Sequence, residues 1–392
     1  MKHFIIPMLC LLALSASAQS RCEAVLSMIE KNNTSLAALR SRIAADKTSF
    51  RTDLSPAGPE AEFGYHWGNK ETGNRKTVNV SQSLEMPSVY ANKRKLADAQ
   101  SLQSDLTYAA SRNEILLEAK LVCVDITYYN SLLAFYAIYE RNLQATADAY
   151  KSALDKGSAT LPDYNKANLS LVNLQDEIAL LRTERDDLLG KLKELNGGLP
   201  VSYDEKEFDT PALPSSFGQW YAQGNVEALD PHLQLLEKVI LTEQRRVSLA
   251  KSLNLPSVSV GFAGEYVRGS NFQGVNVGVS VPLWQNRNKV KAARQGVAAA
   301  EMEAADRRTR VKAQLEQLYN RAVALTRNLD KFDISSSVAE HERYVKRAFD
   351  LGQLSLVEYL LENQYFFDAI KTRISNRRLL AQTEAQLNAF SL

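Results

Sequence analysis

The stretch Ala348-Phe349-Asp350-Leu351-Gly352 resembles an earlier one, Ala153-Leu154-Asp155-Lys156-Gly157, which lies 195 positions before it. The same register pairs Leu161 with Leu356, Asp163 with Glu358 and Tyr164 with Tyr359. Nearer the start of each half an offset of 197 pairs Pro59 with Pro256, Gly64 with Gly261, Val78-Asn79-Val80 with Val275-Asn276-Val277, and Ser83 with Ser280. Matches spread along the whole chain indicate a tandem duplication. We therefore expect a first repeat over 19–196, a linker over 197–225 and a second repeat over 226–392.

Each repeat contains two segments in which every second residue is apolar. They predict strands at about 60–68 and 76–86, and at about 257–267 and 273–283. Alternation over about ten residues is typical of membrane β-barrel strands, with lipid on one side and water on the other. Ordinary hairpins in a soluble sheet are the alternative. The alternating apolar residues are Ala61, Phe63, Tyr65, Trp67, Val78, Val80, Leu84 and Met86, then Val258, Val260, Phe262, Tyr266, Val275, Val277, Val279 and Val281.

Long helical hairpins follow the strands, at about 88–196 and 287–390. From Val290 the apolar positions step by three and four, and one helix continued to Asp350 would be about 90–100 Å long. Such spacing specifies coiled-coil packing rather than a compact globule. The returning helices carry matching seams at Leu171, Leu174, Ile178, Leu181, Leu188, Leu192 and Leu195, and at Leu360, Phe367, Ile370, Ile374 and Ala381.

The first 18 residues have the pattern of an export signal. Lys2 and His3 precede the apolar run Phe4–Leu14, and Ser15–Ala18 supplies an A-x-A cleavage site. The run is too short to span a bilayer, although a retained anchor is the alternative. No later segment is expected to form a transmembrane helix, so any span must be β. We expect cleavage near Ala18 and export of the remaining chain.

The composition disfavours several functional classes. The 47 basic and 45 acidic residues leave a net charge of +2, which gives no electrostatic footprint for nucleic acid. Four His residues are spread along the chain, and we expect surface roles for His66, His232 and His341. The sequence has no phosphate-binding Gly loop, HExxH or nucleophile elbow, so it predicts neither an enzyme, nor a cofactor, nor a metal site.

Cys10 lies in the predicted signal, so the mature chain keeps Cys22 and Cys123. An oxidising compartment permits a disulfide between them. Two separate buried thiols are the equal alternative, because the sequence does not give the distance between them.

The strands and the long helices together favour a conduit. Four strands are too few to enclose a pore, because a small membrane barrel needs about eight. Three copies would supply twelve strands, and helices of such length would have to project from the membrane. The predicted fold class is therefore mainly α with a membrane β-barrel portion. Each tandem repeat reads helix, two strands, long helix, helix.

The chain resembles the TolC-type outer-membrane efflux family over essentially all of its mature length. The resemblance rests on the tandem repeat, on Val279–Trp284 followed by Asn286–Val290, and on the hairpin around Tyr344, Gly352 and Glu358. It implies a homotrimer in the outer membrane, whose 12-stranded β-barrel is continuous with a coiled-coil α-helical barrel in the periplasm. It also implies a periplasmic adaptor (membrane fusion) protein and an inner-membrane pump as partners, with the linker forming most of an equatorial belt.

The turns that end the two long helices are the candidate sites. Gly157 and Gly352 suit left-handed C-caps. Thr160-Leu-Pro-Asp163 and Ser355-Leu-Val-Glu358 each fit a capping box, which gives both acidic residues a structural interpretation. The resemblance implies a gate instead: Glu358 matches an acidic position at the constricted periplasmic end, whereas the next acidic position falls on Leu361, with Glu362 one residue later. Asp155 and Asp350 either add to the negative charge at this constriction or are solvated turn residues.

The same turns are candidates for adaptor contact. Leu161, Leu356, Val357 and Tyr359 are apolar residues beside Gly157 and Gly352, and they either meet the adaptor or pack within their own hairpins.

The leading functional prediction is a passive duct of a tripartite efflux or type I secretion system. Its substrate class, whether drug, metal ion or polypeptide, is left open. The rival is a secreted, soluble coiled-coil scaffold or adhesin without a pore. A periplasmic adaptor fits less well, because that class is not built as a tandem repeat.

Overall fold

The computed structural model describes residues 21–71, 73–209, 213–214, 216–330 and 334–392; the predicted signal, 1–18, lies outside them. Four strands lie within these residues: β1 Glu60–His66, β2 Arg75–Leu84, β3 Ser257–Val267 and β4 Ser270–Ser280. The same residues form ten α-helices: α1 Arg21–Asn32, α2 Thr34–Ser49, α3 Pro87–Asp155, α4 Leu161–Leu195, α5 Phe217–Gln223, α6 Val226–Leu229, α7 Pro231–Ser252, α8 Lys289–Leu329, α9 Ile334–Asp350 and α10 Leu356–Leu387.

The chain folds into two compact units, each assembled from three separated segments. One unit, here the hairpin unit, takes the described residues of Met1–Asn33, Glu118–Thr210 and Leu329–Gln382. The other, here the sheet unit, takes those of Thr34–Leu117, Pro211–Asn328 and Thr383–Leu392. Each unit therefore draws on both halves of the sequence.

The sheet unit contains one antiparallel sheet in the order β1-β2-β3-β4. Val80 of β2 lies opposite Ala61 of β1 and Phe262 of β3, and Phe262 lies opposite Val275 of β4. Because side chains alternate along a strand, this register places one apolar row on a single face across all four strands. The strands of the first half thus pair directly with those of the second.

The opposite face of the sheet carries small and polar residues. Gly261 of β3 lies opposite Ser81 of β2, and a Cβ at that position would come 2.7 Å from the carbonyl oxygen of Val80. Only glycine permits so close an approach of the two backbones. This face is filled by Glu62, Thr77, Asn79, Ser81, Ser83, Ser257, Ser259, Ala263, Asn276 and Gly278.

Strand β4 begins at Ser270, three residues before the predicted boundary, and ends at Ser280 rather than 283. Arg268 and Gly269 form a two-residue turn, with Gly269 at φ 85°, so pairing extends to Val267 and Ser270. Short hairpin turns favour residues that accept positive φ.

The hairpin unit has an apolar core at the interface of three helices. Leu132, Tyr136 and Leu143 of α3 are buried against α4 and α10. The predicted seams supply the partners, because residues three and four apart share one helix face. They are Leu171, Leu174, Ile178 and Leu181 on α4 and Phe367, Ile370 and Ile374 on α10.

The single helix expected from Val290 to Asp350 is represented by two helices among the described residues, α8 and α9. Residues 331–333 lie outside the described part; they include Phe332, which continues the apolar spacing that begins at Val290. In the first half the corresponding segment, α3, is one helix of 69 residues.

Helix α3 also corrects the expectation that no segment after the signal could cross a membrane. Among the described helices it alone holds an 18-residue window that is apolar enough, with 33% of that window buried. The core helix of a soluble domain meets the same criterion. Its buried residues Leu132, Tyr136 and Leu143 belong to the core of the hairpin unit.

Candidate functional site

The two turns that end α3 and α9 have the same backbone geometry. Gly157 and Gly352 take φ 72° and 70°, values that favour glycine. The amide of Gly157 bonds the Leu154 carbonyl at 2.9 Å and that of Ser158 bonds Ala153 at 2.8 Å; the corresponding pairs after α9 are Gly352 to Phe349 and Gln353 to Ala348, both 2.9 Å. This is the Schellman arrangement, which satisfies the last carbonyls of a helix. The local sequence ends both helices in the same way.

Ser355 and Glu358 form a reciprocal cap at the start of α10. Glu358 Oε2 accepts from the Ser355 N–H and from its hydroxyl, each at 2.8 Å, and the Glu358 N–H donates to Ser355 Oγ at 3.3 Å. These bonds lower the pKa of the exposed Glu358 carboxyl, the backbone bond first, because they favour its charged form. The capping geometry is therefore present, and the carboxylate faces solvent.

The first hairpin has a related cap. The Asp163 N–H donates to Thr160 Oγ1 at 3.3 Å, and the Thr160 hydroxyl donates to Asp163 Oδ2 at 2.5 Å. Pro162 stands in the first turn, where an amide would lack a partner. Lys166 Nζ lies 3.9 Å from Asp163 Oδ1. Asp163 thus has a cation beside it.

The remaining acidic candidates differ in whether a basic side chain lies beside the carboxylate. Asp350 pairs with Lys346 at 3.0 Å, one helical turn away. Asp155 is exposed at the end of α3. Glu358 forms no ion pair with any described Lys or Arg. Among the described residues, Asp163 and Asp350 therefore have a cation beside them, whereas no ion pair involves Glu358 or Asp155.

The apolar candidates divide into two exposed and two buried side chains. Leu161 and Val357 are 57% and 50% exposed, and they face solvent at the two turns. Leu356 and Tyr359 are buried, so of the two alternatives left open for them the structure favours packing within the hairpin. The Tyr359 ring stacks on Phe349 of α9 with centroids 4.3 Å apart, so these residues hold the second hairpin together.

A polar link missed at the sequence level joins three helices behind the turns. The buried Tyr136 of α3 donates its hydroxyl to Glu177 Oε1 of α4 at 2.8 Å, and Lys371 Nζ of α10 lies 2.5 Å from the same oxygen. Burial, followed by the bond to Glu177, raises the pKa of Tyr136. A cavity of about 330 Å³ adjoins the link and is also lined by Asp368. No spacing in the sequence signals this contact, because each residue sits on a different helix.

The three histidines do not share one environment. His341 of α9 stacks on Phe366 of α10 with centroids 3.9 Å apart and buries its Nε2 atom, which corrects its prediction as a surface residue. Burial lowers its pKa. His232 lies 3.8 Å from Glu114, and His66 ends β1. Within the described residues no three His, Cys, Asp or Glu side chains are close enough to hold a metal ion.

The structure brings Cys22 of α1 and Cys123 of α3 near enough for each thiol to shift the pKa of the other. Both are free thiols, Cys22 partly exposed and Cys123 buried. The sequence left open whether the two residues were adjacent.

The fold and the geometry of the hairpins define a class: the chain has the fold of the outer-membrane channel proteins, and the resemblance to the TolC type is confirmed for the fold. A solved membrane protein of Pseudomonas aeruginosa is similar with a TM-score of 0.76 at 14% identity, over 95% of this chain and 90% of that one. The CmeC outer membrane channel of Campylobacter jejuni gives 0.73 at 15% identity, over 94% and 85% of the two chains. The MtrE outer membrane channel of Neisseria gonorrhoeae, solved in its open state, gives 0.72 at 14% identity, over 94% and 88%.

No protein-family model and no curated protein matches the sequence. The likeness is therefore one of three-dimensional structure.

Proposed function

We propose that this protein is the outer-membrane duct of a tripartite efflux or type I secretion system and that it conducts substrates passively to the exterior. Three copies would pool their strands into one 12-stranded barrel, with the helical hairpins extending into the periplasm. A periplasmic adaptor and an inner-membrane pump would supply the energy. The signal peptide, 1–18, would direct export.

One observation carries the proposal: the sheet exposes a continuous apolar face. Val275 and Val277 of β4 are 73% and 70% exposed, and Phe63 of β1 is 67% exposed. Apolar surface of this extent in a folded chain calls for lipid or a partner to cover it. The outer edges of β1 and β4 pair with no other described strand, which favours closure by sister copies.

At the turns we assign the gate to Glu358. Three uncompensated carboxylates around a constriction would favour cations and disfavour anions. Asp163 and Asp350 would contribute less, because Lys166 and Lys346 lie beside them. Asp155 would add a further exposed charge.

We assign adaptor contact to the exposed apolar residues of the two turns. Leu161 and Val357 present side chains that their own hairpins do not cover. Gly157 and Gly352, both with positive φ, form the turns that precede them. Leu356 and Tyr359 are buried and are not part of this surface.

The test is single-channel conductance of the purified, detergent-extracted protein in planar bilayers. Glu358→Gln removes the charge but keeps an oxygen that can accept from Ser355, whereas Ser355→Ala removes the two hydroxyl bonds of the cap and keeps both the charge and the backbone bond. We expect Glu358→Gln to increase the current and reduce cation selectivity, and Ser355→Ala to leave selectivity unchanged.

The reverse pattern would leave Glu358 with its capping role alone. A water-soluble monomer, extracted in plain buffer and silent in bilayers, would contradict the duct itself. That outcome would favour the secreted scaffold or adhesin.

A further inference from the structure

Cys22 and Cys123 belong to the hairpin unit. Contacts made by neighbouring residues hold the segments that carry them close together. Arg21, next to Cys22, forms ion pairs with Asp204 and, at 3.1 Å, with Glu205. These acidic residues follow α4 in the linker. The start of α1 is therefore held against the linker segment that begins at Tyr203.

The same linker segment is fixed on α3 beside Cys123. The Tyr203 hydroxyl lies 3.3 Å from Thr127 Oγ1, and Thr127 is one turn after Cys123, to whose carbonyl it donates at 3.0 Å. Asn130 Nδ2 donates to the Glu205 carbonyl at 3.0 Å. Contacts from Arg21 through the linker to Thr127 thus hold the start of α1, with Cys22, near the part of α3 that carries Cys123.

We propose that Cys22 and Cys123 are an oxidisable thiol pair that closes to one disulfide, with Cys22 as the attacking thiol. Only one intramolecular pairing is available to a mature chain in which Cys10 has been removed with the signal. Formation therefore needs an oxidant and no reshuffling of wrong pairs.

The environments of the two thiols assign their order of reaction. Cys22 is partly exposed, and its pKa is lowered, first by the hydrogen bond from Cys123 and also by the positive charge of Lys120. The pKa of Cys123 is raised by the bond to Cys22 and by burial. Because the thiolate is the nucleophile, the accessible Cys22 reacts first and Cys123 resolves.

The oxidant is a thiol–disulfide oxidoreductase in its disulfide form. The Cys22 thiolate attacks one sulfur of that disulfide, which breaks the oxidant's S–S bond and releases one of its sulfurs as a thiolate. Cys123 then loses its proton and attacks the Cys22 sulfur, and the second oxidant sulfur leaves. In total the pair loses two protons and two electrons, and the oxidant becomes a dithiol.

The bond would join the start of α1 covalently to the middle of α3. It would close a loop of about 100 residues, a length at which a disulfide restricts the unfolded chain strongly. Together with Arg21 it would also hold the linker segment over α3. We expect reduction to lower the apparent Tm by about 5–10 °C.

The first test counts thiols in the full-length processed protein, acid-quenched from the membrane fraction, denatured and treated with a maleimide. We expect no label before reductant and two labels after it. Two labels before reductant, together with an unchanged Tm on reduction, would overturn the pair. The count needs no variant and is independent of channel activity, so its failure leaves the proposed duct standing.

The second test assigns the attacking thiol with glutathione disulfide as the probe. In folded, reduced protein, Cys123→Ala should trap one glutathione on Cys22, and Cys22→Ala should trap none on the same timescale. The opposite result would overturn the order of attack. Circular dichroism of both variants establishes that each is folded, and oxidation of the reduced wild type by the same probe supplies a variant-free check of pair closure.

Discussion

The Glu358 carboxylate accepts both the backbone N–H and the hydroxyl of Ser355 at 2.8 Å, so one side chain caps α10 and presents a negative charge at the turn. The first hairpin has its acidic residue at the corresponding place, with Lys166 beside it. Duplicated caps therefore have unequal charge. The cap is therefore common to both hairpins, whereas only the first has a described cation beside its acidic residue.

The cap at Glu358 should be lost in acid. Its pKa is lowered in the folded state, so its stabilisation is present above the unfolded pKa and disappears as the pH falls through the folded pKa. We expect the Ser355 amide to exchange hydrogen faster, after correction for intrinsic rates, once the pH falls through this lowered pKa, below the range in which an ordinary glutamate titrates. Hydrogen exchange with mass spectrometry measures it. Glu358→Gln should abolish the pH dependence, and a wild-type profile that matches this variant would refute the assignment.

Leu356 and Leu161 occupy equivalent positions of the two hairpins, but truncation of Leu356 should lower the stability much more than truncation of Leu161. Leu356 is 5% exposed, so Leu356→Ala should cost about 2–4 kcal/mol through lost packing. Leu161→Ala should change stability by less than about 0.5 kcal/mol, because that side chain is largely in water. Thermal unfolding followed by circular dichroism compares them. Equal losses would show that Leu161 is covered in the assembled protein.

Glu177 should contribute more to the stability than its partly exposed ion pair with Lys371 would by itself. Glu177→Ala leaves the buried Tyr136 hydroxyl without its acceptor, at a cost of about 1–3 kcal/mol. Tyr136→Phe removes the hydroxyl itself, so no buried donor is left without an acceptor, and it should cost about 1 kcal/mol. Denaturant midpoints of the two single variants and the double variant test this order. If adding Tyr136→Phe to Glu177→Ala restores none of the lost stability, the unsatisfied Tyr136 hydroxyl is not the cause of the destabilisation.

Gly261 should be required for pairing of β2 with β3. A Cβ there would lie 2.7 Å from the Val80 carbonyl oxygen, so Gly261→Ala should destabilise the sheet by about 1–3 kcal/mol. Gly274 on β4 has no atom within 4 Å of a built Cβ and serves as the matched control. The measurement is the yield of folded protein in the outer-membrane fraction. Equal yields for Gly261→Ala and Gly274→Ala would disprove the close approach.

Local patterns made much of the fold predictable from the chain. Alternation about Val80 and Phe262 indicates strands because successive side chains point to opposite faces. The glycines at 157 and 352 and the spacings from Thr160 to Asp163 and from Ser355 to Glu358 predict the turns and caps, because capping bonds span only three or four residues. The apolar seams of α4 and α10 follow from helical periodicity in the same way.

The tertiary structure alone decided which distant groups meet. It paired Val80 with Phe262 across the two halves, set Cys22 beside Cys123, and buried Leu356 while leaving Leu161 in water. Such contacts depend on how whole helices and strands pack, and a packing choice is made by the combined surfaces of elements far apart in the chain. The sequence by itself determined periodicity, turns and caps, which are set within a few residues. The shared sheet and the thiol pair needed the folded molecule.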